Sequence, residues 1–185
     1  MLFRSANPVD SNKRDLRKRF RDSRSRHKPS LEWKHLTDSP EFKSAKIVAS
    51  YVSYDLEPDT TILNAEILKS GKTLLLPRMN NDRSLSWIPW DGREDLLART
   101  KNHQEPIGNV FEGAIDLYIV PALAVDKHGY RLGQGGGSYD RALVGATGWK
   151  IALINDDELL AEHLPVESHD QPVNAVATPS RLVRF

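Results

Sequence analysis

The fold is decided by residues 46–76, which read KIVASYVSYDLEPDTTILNAEILKSGKTLLL. Residues 46–53 are rich in Val, Ile and Tyr, which is typical of a buried strand, and residues 73–76 form a second apolar strand that ends before Pro77. Between the two strands, residues 61–70 are predicted to form a helix that stops at Gly71. A strand, a helix and a strand in close succession indicate a βαβ unit, whose two strands are parallel.

The same alternation of strands and helices continues towards the C-terminus. Further strands are predicted at residues 85–88, 114–120, 149–154 and 175–177, and further helices at residues 138–144 and 157–164. An alternating order of this kind predicts an open α/β sheet that helices cover on both faces.

The size and composition of the chain exclude several classes of protein. The chain has 185 residues, of which 39% are apolar and 28% charged, and these values predict one globular domain over residues 1–185. The absence of cysteine excludes a disulfide framework, a thiolate metal site and a thiol nucleophile. The apolar runs are too short to span a membrane, and the N-terminus does not resemble a secretory signal. We therefore expect a cytoplasmic protein.

The net charge of +1 conceals an asymmetry between the N-terminal segment and the rest of the chain. Residues 1–28 contain ten Lys and Arg and three Asp, a net charge of +7, whereas the remainder carries −6. A helix is predicted at about residues 11–26, with Leu16 and Phe20 on a narrow apolar edge and much basic surface beside it. A basic segment on an acidic body predicts an anionic partner, and the alternative is a solvated helix face.

A glycine-rich loop is the most informative local feature. Residues 128–141 read HGYRLGQGGGSYDR and contain five of the eleven glycines, between a predicted strand and a predicted helix. Glycine allows the backbone to approach a ligand closely, and successive free N–H groups before a helix bind anions. Arg131 and Arg141 can contact phosphate oxygens, and the Asp140 carboxylate suits magnesium. The loop matches neither the P-loop nor the dinucleotide-binding pattern, and a flexible connection is the alternative to phosphate binding.

Several other acidic residues are weaker candidates. Asp55, Glu57 and Asp59 follow a predicted strand, at the edge where ligands bind in open α/β sheets, and a carboxylate there can accept hydrogen bonds from a heterocycle. Helix capping is the alternative, and it is favoured for Asp59. Asp170 is either a metal ligand or a turn residue. The six histidines show no metal-ligand spacing, and Ser138 lacks the sequence context of a hydrolase nucleophile.

Four segments together resemble a known family. Residues 120–141, VPALAVDKHGYRLGQGGGSYDR, closely resemble the signature of the 5-formyltetrahydrofolate cyclo-ligases, also called methenyltetrahydrofolate synthetases. KRDLR at residues 13–17, residues 52–60 with LPR at 76–78, and LPVESHD at residues 164–170 agree in order and spacing. The resemblance covers nearly the whole chain and implies a three-layer α/β/α sandwich with a Rossmann-like, mostly parallel sheet.

The resemblance also implies an activity. Members of this family use ATP and magnesium to convert 5-formyltetrahydrofolate into 5,10-methenyltetrahydrofolate, with release of ADP and phosphate. In the family's mechanism, transfer of the γ-phosphoryl group to the formyl oxygen gives an imino-phosphate. The nitrogen at position 10 then attacks the formyl carbon, and phosphate departs.

The resemblance assigns roles to individual residues by their position. The ATP-binding residues it implies are Lys13, Arg14, Asp15, Leu16, Arg17, Arg131, Leu132, Gly133, Gln134, Gly135, Gly136, Gly137, Ser138 and Tyr139. The folate-binding residues it implies are Val52, Glu57, Gln134, Gly135, Gly136, Gly137 and Ser138. Asp140 and Asp170 correspond to magnesium ligands, and we expect Arg131, Arg141 and Asp140 to act in catalysis.

Two positions depart from the family's pattern. Ser138 stands where members usually carry an aromatic residue, so one wall of the folate pocket is lost or supplied elsewhere. Gln134 and Gly136 stand where some members carry a basic residue, so Arg131 and Arg141 are expected to supply that charge.

The expected partners are the two small molecules, ATP and 5-formyltetrahydrofolate, with no nucleic acid and no membrane, and the chain is expected to be a monomer. One alternative is a relative that binds ATP or another phosphate ligand and acts on a different substrate. The other is a nucleic-acid-binding module that uses the basic helix.

Overall fold

A mixed sheet of seven strands lies at the centre of the protein. The computed structural model describes residues 8–25, 32–100 and 104–185. The helices are α1 (Pro8–Arg24), α2 (Lys34–Thr37), α3 (Pro40–Ser44), α4 (Thr61–Lys69) and α5 (Ser138–Leu143). The strands are β1 (Ile47–Ala49), β2 (Thr73–Met79), β3 (Leu85–Pro89), β4 (Leu97–Arg99), β5 (Gln104–Pro106), β6 (Leu117–Pro121), β7 (Ala124–Asp126), β8 (Arg131–Leu132), β9 (Trp149–Leu153), β10 (Leu159–Leu160), β11 (Ala175–Ala177) and β12 (Leu182–Arg184). Within these three segments, no helix has both the length and the apolar character needed to cross a membrane.

The strand order of the main sheet is β12-β11-β9-β6-β1-β2-β3. The five inner strands are parallel to one another, and the edge strands β3 and β12 run antiparallel to their neighbours. Strand β1 pairs with β2 in parallel, with Ile47 opposite Thr73, and α4 connects them. The predicted βαβ unit and the mostly parallel α/β fold are therefore confirmed.

Side chains along each inner strand alternate between two apolar cores on opposite faces of the sheet. On β2, Leu74 and Leu76 belong to the core that includes Leu63 and Ile67 of α4. Leu75 points to the other face and belongs to the core that includes Leu143 of α5. Because both faces are covered by helices, the inner strands are apolar at nearly every position, as parallel strands in three-layer folds are.

Helix α1 lies on a smaller sheet of three strands in the order β10-β7-β8. Its Leu16 and Phe20, four residues apart, contact a separate apolar cluster that contains Leu123, Leu132 and Leu164. The narrow apolar edge predicted for this helix is thus the edge that packs. The helix ends at Arg24, and residue 26, where the prediction placed its end, lies outside the described residues.

The predicted helix at residues 157–164 is wrong. A single 3-10 turn at Asp156–Glu158 leads directly into β10, where Leu159 pairs with Val125 and Leu160 with Asp126 of β7. The acidic and apolar residues of this segment suit a helix locally, but pairing with β7 provides hydrogen-bond partners and burial that an isolated turn of helix lacks.

Strand β2 is longer than predicted, and it passes through Pro77. The carbonyl of Leu75 accepts a hydrogen bond from the Ser50 amide on the β1 side. Pro77, two residues later, faces the same side but lies beyond the end of β1. A proline there has no ladder hydrogen bond to break, so the strand continues to Met79.

Strand β1 is shorter than predicted, because the chain leaves the sheet after Ala49. The carbonyl of Tyr51 accepts hydrogen bonds from the Thr60 hydroxyl at 2.6 Å and the Asn64 side chain at 2.9 Å. These bonds tie the segment that follows β1 to the start of α4 instead of to a neighbouring strand.

Candidate active site

A crevice opens at the carboxyl ends of the parallel strands, between β1 and β6. Strand β1 leads to β2 on one side of this point, whereas β6 leads to β9 and β11 on the other. Connections that diverge in this way leave a gap above the sheet, where open α/β folds bind ligands. Here the gap holds a cavity of about 550 Å³, within the size range of small-molecule sites.

Most of the residues that the sequence singled out line this cavity. They are Lys13, Arg17, Val52, Glu57, Arg131, Leu132, Gly133, Gln134, Gly135, Gly136, Gly137, Ser138, Tyr139, Asp140, Arg141 and Asp170. Arg14, Asp15 and Leu16 lie outside the lining. Arg14 and Asp15 are exposed, and Leu16 packs against the small apolar cluster beneath the helix.

The glycine loop presents backbone amides to the cavity. Gly135 has a φ of +104° and Gly137 has a φ of +67°, conformations that an L-residue adopts only with strain. Among the described residues, no group accepts a hydrogen bond from the amide N–H groups of residues 134–137. Several consecutive free amides in a cavity wall form the kind of site that binds phosphate oxygens.

One face of α1 is turned onto the loop. Lys13, Arg17, Arg21 and Arg24 follow one another at helical spacing. Arg17 Nε donates to the Gly133 carbonyl at 3.0 Å, and Arg21 donates to the side-chain oxygen of Gln134 from Nε at 3.0 Å and from Nη2 at 2.7 Å.

A buried ion pair fixes the C-terminal end of α1. Arg24 pairs with Glu158 through two contacts at 2.6 and 2.8 Å, and both side chains are almost fully buried. Arg24 also donates to the carbonyl of Ala122, which follows β6. This pair therefore joins the helix to the floor of the cavity.

A cluster of potential metal ligands lies at the opposite end of α1. Carboxylate or imidazole atoms of Glu167, His169 and Asp170 lie within 4.8 Å of one another, and the Lys13 ammonium lies 2.6 Å from Asp170 and 2.9 Å from Glu167. Burial opposes the charge on Lys13, but the hydrogen bonds and charges of the two carboxylates outweigh it and raise the pKa of Lys13. The carboxylate oxygens of Glu167 and Asp170 already hold one cation, the Lys13 ammonium. Carboxylate oxygens are also the ligands that magnesium prefers, so this cluster suits a magnesium ion.

Asp140, the other predicted metal ligand, stands next to this cluster but is engaged elsewhere. Its Oδ1 accepts from Arg131 Nη2 at 2.7 Å and from the Gln171 amide at 3.2 Å. The Arg131 side chain is only 3% exposed, and burial lowers the pKa of its guanidinium. Its Nε is buried without a partner among the described residues. Arg141 donates to the carbonyl of Gly136 at 2.9 Å.

The other side of the cavity is aromatic and contains a buried carboxyl group. Glu57 is 5% exposed, and burial raises its pKa to about 7, although a hydrogen bond from the Tyr54 amide opposes the shift. Tyr51, Tyr54 and Tyr139 line the cavity. They provide aromatic surface near Ser138, which is itself buried at the first position of α5.

The remaining acidic candidates have local roles. Asp59 caps α4, because its Oδ1 accepts from the Thr61 amide at 2.6 Å, as the capping interpretation predicts. Asp55 is exposed and adopts a positive φ of 54° in the turn after β1. Asp170 also accepts from the Glu167 amide at 2.8 Å, so it closes a turn as well as belonging to the cluster.

Sequence reasoning missed three residues that position the site. Asp126 is fully buried and accepts hydrogen bonds from the amides of His128, Tyr130 and Leu164. It fixes the hairpin that leads into the glycine loop and holds the segment that carries Glu167 beside it. The DKHG turn is a local signal for Asp126, but Arg21 and Glu158 act through partners more than 100 residues away.

Comparison with known proteins identifies the family. Residues 10–179 match the 5-formyltetrahydrofolate cyclo-ligase family. A 5-formyltetrahydrofolate cyclo-ligase of Mycolicibacterium smegmatis is 38% identical over 75% of this chain and 76% of its own length. An Escherichia coli protein of the same name is 33% identical over 77% of this chain and 83% of its own length.

A solved structure shares both the fold and the family. The structure of Aquifex aeolicus 5,10-methenyltetrahydrofolate synthetase superposes with a TM-score of 0.78 and 30% identity, and it covers 93% of this chain and 92% of its own. The three-layer α/β fold predicted from the sequence is confirmed, as is the prediction of an enzyme. The chain belongs to the 5-formyltetrahydrofolate cyclo-ligase family.

Proposed function

We propose that the protein converts 5-formyltetrahydrofolate into 5,10-methenyltetrahydrofolate with ATP and magnesium, releasing ADP and phosphate. Family membership supports the cyclo-ligase activity. The observation that supports the full reaction is that one cavity contains both a surface suited to phosphate and a surface suited to a heterocycle. The free amides of the glycine loop, suited to phosphate, face the same space as Glu57 and the three tyrosines, which suit a heterocycle.

The loop binds the triphosphate of ATP in this proposal. Its amides contact phosphate oxygens, and Arg17 and Lys13 add positive charge from α1, at the wall of the same cavity. A formamide oxygen is a weak nucleophile towards phosphorus, so the protein contributes mainly by holding the γ-phosphoryl group and the formyl group in line and by balancing phosphate charge.

The folate lies on the aromatic side. Glu57 accepts hydrogen bonds from N–H groups of the heterocycle, or donates one when protonated, because its pKa of about 7 allows both forms near neutral pH. Transfer of the γ-phosphoryl group to the formyl oxygen gives the imino-phosphate. Attack by the nitrogen at position 10 on the formyl carbon then closes the ring, expels phosphate and releases the proton of that nitrogen.

Asp170, with Glu167 beside it, would hold magnesium, and Asp140 lies within reach of the same region through Gln171. Bound there, the ion would neutralise charge on the β- and γ-phosphates. Lys13 holds these carboxylates in place, and Arg131 holds Asp140.

The nucleic-acid alternative has less support. Lys13, Arg17, Arg21 and Arg24 all donate hydrogen bonds to groups of the protein itself. A backbone-binding surface would instead leave its basic residues free for phosphates. The cytoplasmic location and the monomeric state stay predictions.

The test is a spectrophotometric assay of the purified protein with 5-formyltetrahydrofolate, ATP and magnesium. We expect the ultraviolet absorbance of the methenyl product to rise only when all three are present.

Asp140→Asn keeps an oxygen for Arg131 and Gln171 but loses the charge, and we expect it to reduce turnover by at least about a hundredfold. Asp157→Asn, at an exposed acid, is the matched control and should not change the rate. Absence of product with ATP binding intact would favour a relative that acts on another substrate.

A further inference from the structure

Arg21 contacts the glycine loop from outside the cavity. Arg17 and Gln134 line the cavity, whereas Arg21 lies outside its lining and is exposed to solvent. Its guanidinium makes three contacts with Gln134: two with the side-chain oxygen, at 3.0 and 2.7 Å, and one with the backbone carbonyl, at 3.3 Å. Arg21 is therefore placed to act through Gln134 and not on a ligand directly.

The contact with the Gln134 carbonyl orients a peptide plane. In a trans peptide, the C=O of one residue and the N–H of the next point in opposite directions. With the Gln134 carbonyl turned to Arg21, the Gly135 N–H points away from Arg21. Arg17 and Arg141 hold the carbonyls of Gly133 and Gly136 in the same way. Three guanidinium groups thus set the directions of the amide N–H groups of Gln134, Gly135 and Gly137.

The contact with the Gln134 side chain orients its amide. A guanidinium can only donate, so the atom that faces Arg21 is the carbonyl oxygen and the NH₂ group is left to point elsewhere. Gln134 and Glu57 both line the cavity, and the Gln134 side chain opposes the rise in the Glu57 pKa that burial causes. Arg21 therefore fixes the orientation of a side chain that lines the cavity.

We propose that Arg21 is a positioning residue, which holds the Gln134–Gly135 peptide and the Gln134 side chain so that both present N–H groups to the cavity. The identities of the two ligands rest on the proposed function. The positioning itself is a property of the ligand-free protein, so it can be measured without either ligand.

The first measurement is amide NMR of the ligand-free protein. Arg21→Ala should shift the amide resonances of Gly135, Gly136 and Gly137 and speed their hydrogen exchange, because the peptide planes lose their anchor. Lys18→Ala, at an exposed lysine of the same helix, removes the same charge and should leave these resonances in place. Equal effects of the two variants, or no effect of either, would overturn the proposal.

The second measurement is calorimetric titration with ATP in a double-mutant cycle. Arg21→Ala should weaken ATP binding about tenfold in the wild-type background, and Lys18→Ala much less. In a Gln134→Ala background, Arg21→Ala should have a smaller effect, since the two contacts with the side-chain oxygen are already lost and only the contact with the backbone carbonyl remains.

The same tenfold loss in both backgrounds would show that Arg21 does not act through the Gln134 side chain and would overturn the proposal. A wild-type protein without ring-closing activity would instead contradict the proposed function, and the NMR comparison would still decide whether Arg21 positions the loop.

Discussion

The ammonium of Lys13 lies 2.6 Å from a carboxylate oxygen of Asp170, although 157 residues separate them in the chain. The side chains are 8% and 13% exposed, so the pair is largely shielded from water. Burial alone would raise the pKa of Asp170, but the hydrogen bond from Lys13 and the Glu167 amide outweigh it, and the pKa lies below its ordinary value. The Lys13 ammonium thus occupies a position where a metal cation could bind to the same carboxylates.

Removal of Lys13 should therefore increase the affinity of the nucleotide-free protein for divalent cations. In Lys13→Gln, the carboxylates of Glu167 and Asp170 keep their charge but lose the cation that lies between them. We expect Mn²⁺, titrated calorimetrically as a probe of the magnesium site, to bind about tenfold more tightly than to the wild type.

Lys34→Gln is the matched control, because Lys34 pairs with Asp38 on the exposed surface. It should leave Mn²⁺ affinity unchanged. Unchanged affinity in Lys13→Gln as well would show that these carboxylates do not form a cation site.

The buried pair of Arg24 and Glu158 should contribute strongly to stability. Arg24→Leu leaves the Glu158 carboxylate buried without its cation, at a cost of about 3–5 kcal/mol in the free energy of unfolding. Arg24→Leu combined with Glu158→Leu should lose less than Arg24→Leu alone, since no charge is left unpaired. Urea unfolding of the three proteins tests this.

The exposed pair of Arg184 and Glu41 provides the comparison. Its side chains are 48% and 27% exposed, and Arg184→Ala should cost less than about 1 kcal/mol. If Arg24→Leu were equally mild, helix α1 would not depend on the buried pair.

Ion pairs between distant residues are the part of this site that the sequence does not predict. The β1–α4–β2 unit and the glycine loop are recognisable because strand composition, helix termini and glycine clusters are local patterns. The pairs of Lys13 with Asp170 and of Arg24 with Glu158 join residues 157 and 134 positions apart, and nothing near any of the four indicates its partner. The segment at 157–164 was mispredicted for the same reason, since its pairing with β7 is a tertiary contact.

Two neighbouring glycines of the loop should respond differently to alanine. Gly135 has a φ of +104°, and a Cβ there would lie 3.3 Å from Arg17 Cζ, whereas among the described residues a Cβ at Gly136 would meet only the Ser138 hydroxyl, at 3.6 Å. Gly135→Ala should therefore lower the free energy of unfolding by about 1–2 kcal/mol, and Gly136→Ala by less than about 0.5 kcal/mol.

Gly136→Ala should affect ATP binding far more than it affects stability. In Gly136→Ala the fold is intact, but the added methyl group occupies space through which a phosphate would approach the amides, so ATP affinity should fall at least about tenfold. Thermal unfolding and ATP titration of both variants test this contrast. A Gly136→Ala protein with wild-type ATP affinity would place the triphosphate elsewhere.

Glu57 should make the protein less stable as the pH rises. Its pKa is about 7 in the folded protein, above the ordinary value of 4.5. Between these values the folded state keeps a proton that the unfolded state has lost, so the free energy of unfolding falls as the pH increases.

Glu57→Gln removes this dependence and should be more stable than the wild type at about pH 8, by up to about 3 kcal/mol, with the difference shrinking towards pH 4.5. Urea unfolding across this range, with the exposed Glu112→Gln as control, measures it. A constant difference at every pH would mean that the pKa of Glu57 is the same in the folded and the unfolded protein.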